Sequence, residues 1–370
     1  MPRPKAYVAL YHGIDAAHWR QQYEAGVADS GIATDLTPYG FHRAEQYGFD
    51  VVFAQDAPPA RRGIMALFLT RFLGFDILHA WDNRRRVAGA DIVWTMTEGE
   101  GFAIALLFFL GVVPRKPIVN NVVWLLNDWG KGYWYKRKIY KFLARYMLMT
   151  VHSSRCLTVA RHEFPRIRSE LMYFGVNSDV IAPRPRHEAT PGRPLSLVSM
   201  GSDKTRDWKT LLDAFGNHPN VLLTLVCWRL SESDIAQYNN VRLLRITNRT
   251  DFVACYYAAD IALVTMVENI FSGITSALDA AAAGVPLIAT RTGGILTYFT
   301  EDEVCFVPAG DVQALRNAVT GTSAEARREK ADRALRRFRE NDYSNNGLAR
   351  RYCDISRDLL KRTIAGMPKR

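Results

Sequence analysis

The sequence predicts an α/β protein built from two doubly wound parallel-sheet domains joined by a linker. Three observations carry this prediction. Short apolar runs such as "AYVALYHG", "FDVVFAQ", "LSLVSMG" and "IALVTM" alternate with helical patterns along the chain, as strands buried on both faces of a parallel sheet do. The alternation stops once, at the stretch "IAPRPRHEATPGRP" (Ile181–Pro194), and then begins again. A chain of 370 residues is also long for one core and comfortable for two, at roughly 100–200 residues per domain.

In the first domain, expected over residues 1–180, "AYVALYHG" is a strand and "FDVVFAQ" another. "ADIVWTMTEGEG" is a strand running out into a loop, "FAIALLFFLG" a buried helix and "KPIVNNVVW" a further strand. Residues 181–194 hold four prolines and a glycine among charges, a composition that suits a linker. The second domain, 195–344, starts with the strand "LSLVSMG", the helix "DWKTLLDAF" and the strand "NVLLTLVCW". The helix "DFVACYYAAD" and the strands "IALVTM" and "PLIAT" follow, and then helical patterns at Gln313–Val319 and Ala324–Phe338. A last helix at about 345–364 is available to pack back on the first domain.

Composition narrows the function classes. Hydrophobic residues make up 48% and charged residues 23%, the balance of a folded soluble protein. Five cysteines lie far apart, so neither a disulfide framework nor a zinc site is expected and a reducing compartment is the default. The N-terminal apolar run is too short for a signal peptide. The longest uncharged apolar run, Gly101–Pro114, is too short to span a bilayer. A cytoplasmic protein is expected. The net charge of +11 attracts nucleic acid, anionic lipid and phosphorylated small molecules alike, and the chain shows none of the common nucleic-acid-binding signatures.

The stretch "ENIFSGITSALDAAAAGVPLIATRTGG" (Glu268–Gly294) carries the first chemistry. Gly273 allows the backbone to approach a ligand with no Cβ in the way. The helix that starts at Ile274 and Thr275 presents unpaired N–H groups and a partial positive charge, which together favour an anion. Asp279 is the one carboxylate on an otherwise alanine-built helix surface. A carboxylate there suits neighbouring hydroxyls, or it is a solvated helix residue.

Five segments, in order, resemble the group 1 (family 4) retaining glycosyltransferases of the GT-B fold. "YFGVNSDVIAP" (Tyr173–Pro183) is similar to the family's entry into the interdomain linker, and "LVSMGSDKTRDWKTLLDAF" to the first strand, phosphate loop and helix of its donor domain. "FVACYYAADIALVTM" precedes the donor motif, "SGITSALDAAAAGVPLIATRTGG" resembles that motif, and "VPAGDVQAL" resembles the segment closing the domain. The likeness runs from about residue 173 to 320, and the first 170 residues agree in pattern only. It implies two Rossmann-like domains facing across a cleft. It also implies that Asp279 holds ribose hydroxyls while Gly273 and the amides of Ile274 and Thr275 meet a diphosphate. Gly201, Ser202, Lys204 and Arg206 fall in the phosphate loop. Arg206 is favoured as the catalytic cation because "RDWKTL" matches a variant of that loop. The backbone at Arg245–Thr247, around Ile246, is the implied base contact.

Two departures stand out. The family pattern places glutamates eight residues apart, whereas here Phe271 lies eight residues before Asp279 and the nearest acid is Glu268. Glu268 is carried as the candidate sugar-contacting acid. Where many relatives have a histidine near the acceptor, this chain has Asn120 and Asn121, with His12, His18 and His152 as substitutes.

The implied reaction transfers a sugar from a UDP- or GDP-sugar to an acceptor hydroxyl with retention, and requires no metal or other cofactor. The loops "YHGID" and "TEGEGF" end strands of the first domain, so His12, Gly13, Glu98, Glu100 and Asn121 are acceptor-side candidates. From Trp129 to His162 there are eight Lys or Arg residues and no acid. Tyr135, Ile139, Phe142, Leu143 and Tyr146 are expected on one helical face, and Trp134, Arg137, Lys138, Lys141 and Arg145 on the other. Such a helix suits an anionic membrane surface on the inner face of the cytoplasmic membrane, or packs its apolar face on the sheet with its basic face merely wet. A lipid-linked or membrane-proximal glycan acceptor, in bacterial polysaccharide or cell-envelope assembly, fits the first of these. The rival reading is a catalytically silent GT-B scaffold that binds a partner protein.

Overall fold

The computed structural model describes residues 2–28, 33–56, 64–184 and 192–365. Residues 185–191 of the expected linker therefore lie outside the described residues. The chain divides into two compact units. One comprises Met1–Gln21, Asp35–Tyr173 and Asn345–Arg370, the other Gln22–Thr34 and Phe174–Ser344. Residues 22–34 and 174–180 thus group with the second unit.

The first unit holds strands β1 (Lys5–Ala9), β2 (Asp50–Phe53), β3 (Ile92–Thr95), β4 (Ile118–Asn121), β5 (Leu148–Val151) and β6 (Ser169–Leu171). Its helices are α1 (Ala16–Ala25, which begins here), α2 (Ile64–Leu73), α3 (Ile77–Asp82), α4 (Arg84–Ala88), α5 (Glu98–Phe109), α6 (Trp134–Leu143) and α7 (Ser154–Glu163). The strands form one six-stranded sheet in the order β2-β1-β3-β4-β5-β6, with every pair parallel. The winding reverses between β1 and β3, where an open α/β sheet places its ligand crevice.

Two local expectations change here. The supposed loop Thr97–Phe102 is the first turn of α5. Thr97 is its N-cap and Glu100 closes a capping box, the S/T-x-x-E signal that marks a helix start. The basic helix ends at Leu143, and a 3-10 turn at Ala144–Tyr146 leads into β5. Its buried side centres on Tyr140 and Leu143, while Tyr135, Ile139, Phe142 and Tyr146 are half-buried. The Tyr140 ring stacks on Phe102 at 4.6 Å, and its hydroxyl donates to the Leu73 carbonyl at 3.0 Å. A buried tyrosine needs such a partner, and this one turns the helix so that Tyr140 faces inward.

The second unit holds β7 (Leu195–Met200), α8 (Trp208–Phe215), β8 (Val221–Val226), α9 (Glu232–Ile235), β9 (Val241–Leu244) and α10 (Arg249–Ala258). Then come β10 (Ile261–Val264), α11 (Ile274–Ala282), β11 (Leu287–Thr290), β12 (Cys305–Val307), α12 (Val312–Thr320) and α13 (Ala324–Glu340). The sheet order is β12-β11-β10-β7-β8-β9, again all parallel. Leu211, Phe215, Leu223, Leu225, Ile261, Leu263 and Leu315 fill the core between sheet and helices. Counted in chain order the strands run 6-5-4-1-2-3, the dinucleotide-binding winding, and the reversal falls between β7 and β10.

The last helix, α14 (Asn345–Ala365), belongs to the first unit. Asn345 Nδ2 donates to Asp35 Oδ2 at 2.6 Å, and Ser356 Oγ accepts from the buried Trp94 Nε1 at 2.8 Å. The Tyr352 ring packs edge-on against Phe41 at 5.2 Å.

Candidate functional site

The winding reversal in the second unit sets the loop after β7 beside the loop after β10. Arg206 and Met266 form an antiparallel bridge. The Asp207 N–H donates to the Thr265 carbonyl at 3.0 Å, and the Val267 N–H to that of Thr205 at 2.9 Å. These two loops hold most of the donor-side candidates.

Arg206 is the central group, and it is only 7% exposed. Gly201 makes room for it: the residue turns with φ 140°, and a Cβ there would stand 2.5 Å from the guanidinium. Arg206 Nη2 donates to Ser276 Oγ in the first turn of α11, and Ser276 Oγ in turn donates to the Met200 carbonyl at 3.0 Å. Arg206 Nε and Nη1 are buried with no hydrogen-bond partner among the described residues. Asp203 Oδ2 lies 3.8 Å from Nε, close enough for attraction but too far for a hydrogen bond. Burial pushes the Arg206 pKa down and Asp203 works against that shift; a guanidinium stays protonated regardless. Burial also pushes the Asp203 carboxyl up. The Arg206 charge and the bonds from Thr205 and Ser272 outweigh this and hold it below its usual value.

Helix α11 begins at Gly273, which sits at φ 87° and caps the helix with no side chain. The first N–H groups, at Ile274 and Thr275, therefore have no capping oxygen, and the positive end of the helix is open to an anion. Asn269 fixes the approach to this point. Its buried Oδ1 accepts from the N–H groups of Phe271 at 3.1 Å and Ser272 at 2.8 Å, while Nδ2 donates to the Val267 carbonyl at 2.8 Å. Ser272 Oγ then donates to Asp203 Oδ2 at 2.8 Å, which ties the two loops together.

Asp279 lies farther along α11, half-buried. Burial alone pushes its carboxyl up to about 8, and it accepts no side-chain hydrogen bond among the described residues. The buried phenol of Tyr256 on α10 is near enough for the Asp279 charge to raise its pKa further, after burial itself. Ser202 and Lys204 are exposed, with Ser202 Oγ accepting from the Trp228 N–H at 2.9 Å. Glu268 is exposed too, and its Oε2 accepts from Thr292 Oγ1 at 2.9 Å. The Ile246 side chain is buried after β9. A cavity of about 480 Å³ there is lined by Leu197, Thr224, Ile246 and Cys255 among others, but by none of Gly201, Arg206 or Asp279.

The corresponding strand ends of the first unit look different. The Gly13 N–H donates to Asp56 Oδ2 at 3.0 Å, and the His12 ring meets His79 edge-on at 5.8 Å. His79 Nδ1 lies 3.6 Å from Asp56 Oδ1; burial lowers the His79 pKa while Asp56 opposes it. Glu98 accepts from the N–H groups of Val123 at 2.9 Å, Trp124 at 3.3 Å and Leu125 at 2.9 Å. Burial raises its pKa in spite of those bonds. Glu100 accepts from the Thr97 N–H and Oγ1, both at 2.8 Å, and burial pushes it up to about 7. Both carboxylates are thus engaged with their own chain. Asn121 Nδ2 donates to the Met96 carbonyl at 2.9 Å, but its Oδ1 is buried with no partner among the described residues. Of the substitute histidines, His18 is exposed and His152 half-buried. His152 Nδ1 bonds the Met172 carbonyl at 2.7 Å, and burial pushes its pKa down to about 4.

Asp203, Asn269, Ser272, Ser276 and Thr292 were missed by sequence reasoning. "ENIFS" does carry a weak local signal, since an asparagine bonding the backbone two or three residues on is a common turn device. The partnership of Asp203 with Ser272 spans 69 residues and has no such signal.

Residues 200–324 match the family model described as glycosyl transferases group 1. No curated protein sequence matches the chain. Among solved structures, sucrose-phosphate synthase from Thermosynechococcus elongatus is similar at 16% identity and a TM-score of 0.74, over 97% of this chain and 100% of that one. HepE from Anabaena, in complex with UDP and glucose, is similar at 13% identity and a TM-score of 0.67, over 96% and 100% of the two chains. A glycosyltransferase from Rickettsia africae is similar at 14% identity and a TM-score of 0.63, over 98% and 100%. At these identities the likeness to solved structures is one of fold, and that fold is GT-B.

Proposed function

We propose that this chain, which has the GT-B fold and matches the group 1 glycosyl transferase model at residues 200–324, transfers a hexose from a nucleoside-diphosphate sugar to an acceptor hydroxyl with retention. The observation that carries this reading is Arg206. Its buried Nε and Nη1 lack a hydrogen-bond partner among the described residues, beside an uncapped helix start. A buried charge is costly unless paired, and a diphosphate supplies both the counter-charge and the missing acceptors. In this reading Gly201, Arg206, Gly273, Ile274 and Thr275 surround the diphosphate, with Ser202 and Lys204 at its edge. Asp279 accepts the ribose hydroxyls, and the backbone at Ile246 meets the base. UDP is the first nucleotide to test, because HepE was solved with UDP and with UDP-glucose.

The chemistry then runs through charge stabilisation. The bond from the anomeric carbon to the β-phosphate oxygen breaks, and its electron pair stays on the diphosphate. Arg206 and the α11 amides stabilise that charge more in the transition state than in the ground state. The acceptor oxygen attacks from the same face, and its proton passes to the departing phosphate oxygen. No protein base is then needed, which suits a chain with Asn121 where many relatives have histidine. Glu268 is the acid for the sugar hydroxyls in this reading. His12, Gly13, Glu98, Glu100 and Asn121 are the acceptor-side residues, where Glu98 and Glu100 act by shaping the loops they hold. The acceptor is a lipid-linked or membrane-proximal glycan, and the enzyme works at the inner face of the cytoplasmic membrane. Among the described residues, no helix is long and apolar enough to cross a membrane.

Calorimetric titration with UDP, GDP and ADP tests the donor site, with Asp279→Ala in parallel. One nucleotide should bind clearly and the variant more weakly; no binding by any of them contradicts the proposal. A second reading, the silent scaffold, is favoured by Phe271 standing where the family has a glutamate. It predicts nucleotide binding with no release of nucleotide from any sugar donor, whatever acceptor extract is supplied.

A further inference from the structure

Helix α2 carries a feature that the donor chemistry does not use. Its sequence "IMALFLTRFL" turns Leu69, Thr70 and Leu73 partly inward, and Leu67, Phe68, Arg71 and Phe72 outward. The outward residues fall at i, i+1, i+4 and i+5, a single helical face. The start of α6 continues this surface. Phe68 stacks on Phe72 at 6.4 Å, Phe72 on Tyr135 at 5.2 Å, and Tyr135 on Tyr133 at 5.6 Å, with Trp134 edge-on to Tyr135 at 6.2 Å. Hydrogen bonds fix the junction: Tyr135 OH donates to the Phe72 carbonyl at 3.3 Å, and Lys136 Nζ to that of Arg71 at 2.8 Å. Leu67, Phe68, Phe72, Tyr133 and Trp134 are between 47% and 72% exposed. Single exposed apolar residues are ordinary, but five large ones in a continuous row are not.

The charges around the row select its occupant. Neither α2 nor α6 contains an acid, whereas they contribute Arg71, Lys136, Arg137, Lys138 and Lys141. Lys138 Nζ sits 4.9 Å over the Trp134 ring. An apolar row flanked by tyrosine and tryptophan, with Arg71, Lys136, Arg137 and Lys138 beside it, matches a bilayer interface of anionic lipid. There the apolar side chains enter the acyl boundary, the aromatic tips lie at headgroup depth and the cations meet phosphates.

We propose that α2 and the Tyr133–Trp134 corner form the membrane-inserting element of this enzyme, with Leu67, Phe68 and Phe72 entering an anionic bilayer surface. The inference deepens the membrane-proximal reading and rests on it only for why the enzyme works there. It also moves the contact: Trp134 and Lys138 of the expected α6 set belong to it. Lys141, by contrast, bonds Glu163 at 3.1 Å and Arg145 lies over the Phe142 ring at 4.6 Å, so they are peripheral.

The full chain is sedimented with phosphatidylcholine vesicles and with phosphatidylcholine–phosphatidylglycerol vesicles, and UDP and GDP binding is measured on the same preparations. Wild type should bind the anionic vesicles. Phe68→Ser/Phe72→Ser should bind at least about tenfold more weakly, since each ring loses its apolar burial, with unchanged thermal stability and nucleotide affinity. Trp134→Ala, which leaves α2 intact, should weaken binding several-fold. Arg71→Gln/Lys138→Gln should remove the preference for anionic over neutral vesicles. The proposal is overturned if wild type ignores anionic vesicles, or if the double serine variant binds them as wild type does. Concentration-dependent self-association of wild type without vesicle binding, abolished by the serines, overturns it as well by making the row a contact between copies. Vesicle binding without nucleotide binding leaves the proposal standing and sinks the transferase reading alone. Nucleotide binding without vesicle binding does the reverse.

Discussion

Each sheet reverses its winding once, between β1 and β3 in the first unit and between β7 and β10 in the second. The carboxylates beside the first reversal are held differently from the guanidinium beside the second. In the first unit, Glu98 gathers three backbone N–H groups and Glu100 closes the start of α5. These carboxylates hold their own chain in place. In the second unit, Arg206 Nε and Nη1 have no acceptor among the described residues, α11 starts without a side-chain cap, and burial raises the Asp279 carboxyl. A polar group that satisfies its own backbone stabilises the fold, whereas one left buried and unpartnered lowers stability, and at Arg206 a diphosphate would supply the missing acceptors. Substitutions should therefore sort by partnering: losses of stability at Glu98 and Thr97, losses of ligand affinity at Arg206 and Asp279.

The largest effect is expected for Glu98→Ala. Three backbone donors at residues 123–125 lose their acceptor, which should cost about 3 kcal/mol in denaturant unfolding, while nucleotide affinity of the remaining folded protein is unchanged. A nucleotide-affinity loss matching the stability loss would break the comparison. Arg206→Met comes next, with roughly 100-fold weaker nucleotide binding and stability within about 1 kcal/mol of wild type. Large unfolding with intact binding would make Arg206 a structural residue.

Asp279→Asn sharpens the contrast through pH. Below about pH 4 the carboxyl is neutral in both the folded and unfolded chains, so the substitution changes little. As pH rises toward about 8 the unfolded chain ionises first, and wild type progressively loses stability that the asparagine variant keeps. The gain should reach on the order of 1–2 kcal/mol, less than the full shift implies because water reaches part of the side chain. Nucleotide affinity should fall about tenfold in the same variant, the loss of one charge-assisted hydrogen-bond acceptor. Hydroxyl donors also favour the ionised carboxylate. Wild type should then release protons on binding near pH 7, seen as buffer-dependent heats, and Asp279→Asn should not. The smallest effect is for Thr97→Ala, which loses a capping box and about 1 kcal/mol of stability with no effect on nucleotide binding.

What could be read from the sequence follows the range of the forces involved. The parallel strands and the start of α11 were legible because buried apolar runs and a glycine before a helix are local patterns. The capping box at Thr97–Glu100 is equally local, but it is hidden when "TEGEG" is taken as the loop at a strand end. The rotation of α6 onto Tyr140 depends on Phe102 and the Leu73 carbonyl, partners brought together only by the fold. The same holds for the donor loops. Gly201, Arg206 and Asp279 could be named from their motifs, but the Asp203–Ser272 and Arg206–Ser276 ties cross about 70 residues of chain. The patch on α2 escaped because an apolar helical run reads as core until its exposure is known.

The most direct test of the account is a calorimetric titration of wild type and Arg206→Met with UDP and GDP, each paired with a denaturant unfolding curve. The account predicts saturable binding of one nucleotide by wild type, binding roughly 100-fold weaker in the variant, and overlapping unfolding curves. Equal affinity in the two proteins, or no binding to wild type, would contradict the assignment of the unpartnered guanidinium to a diphosphate.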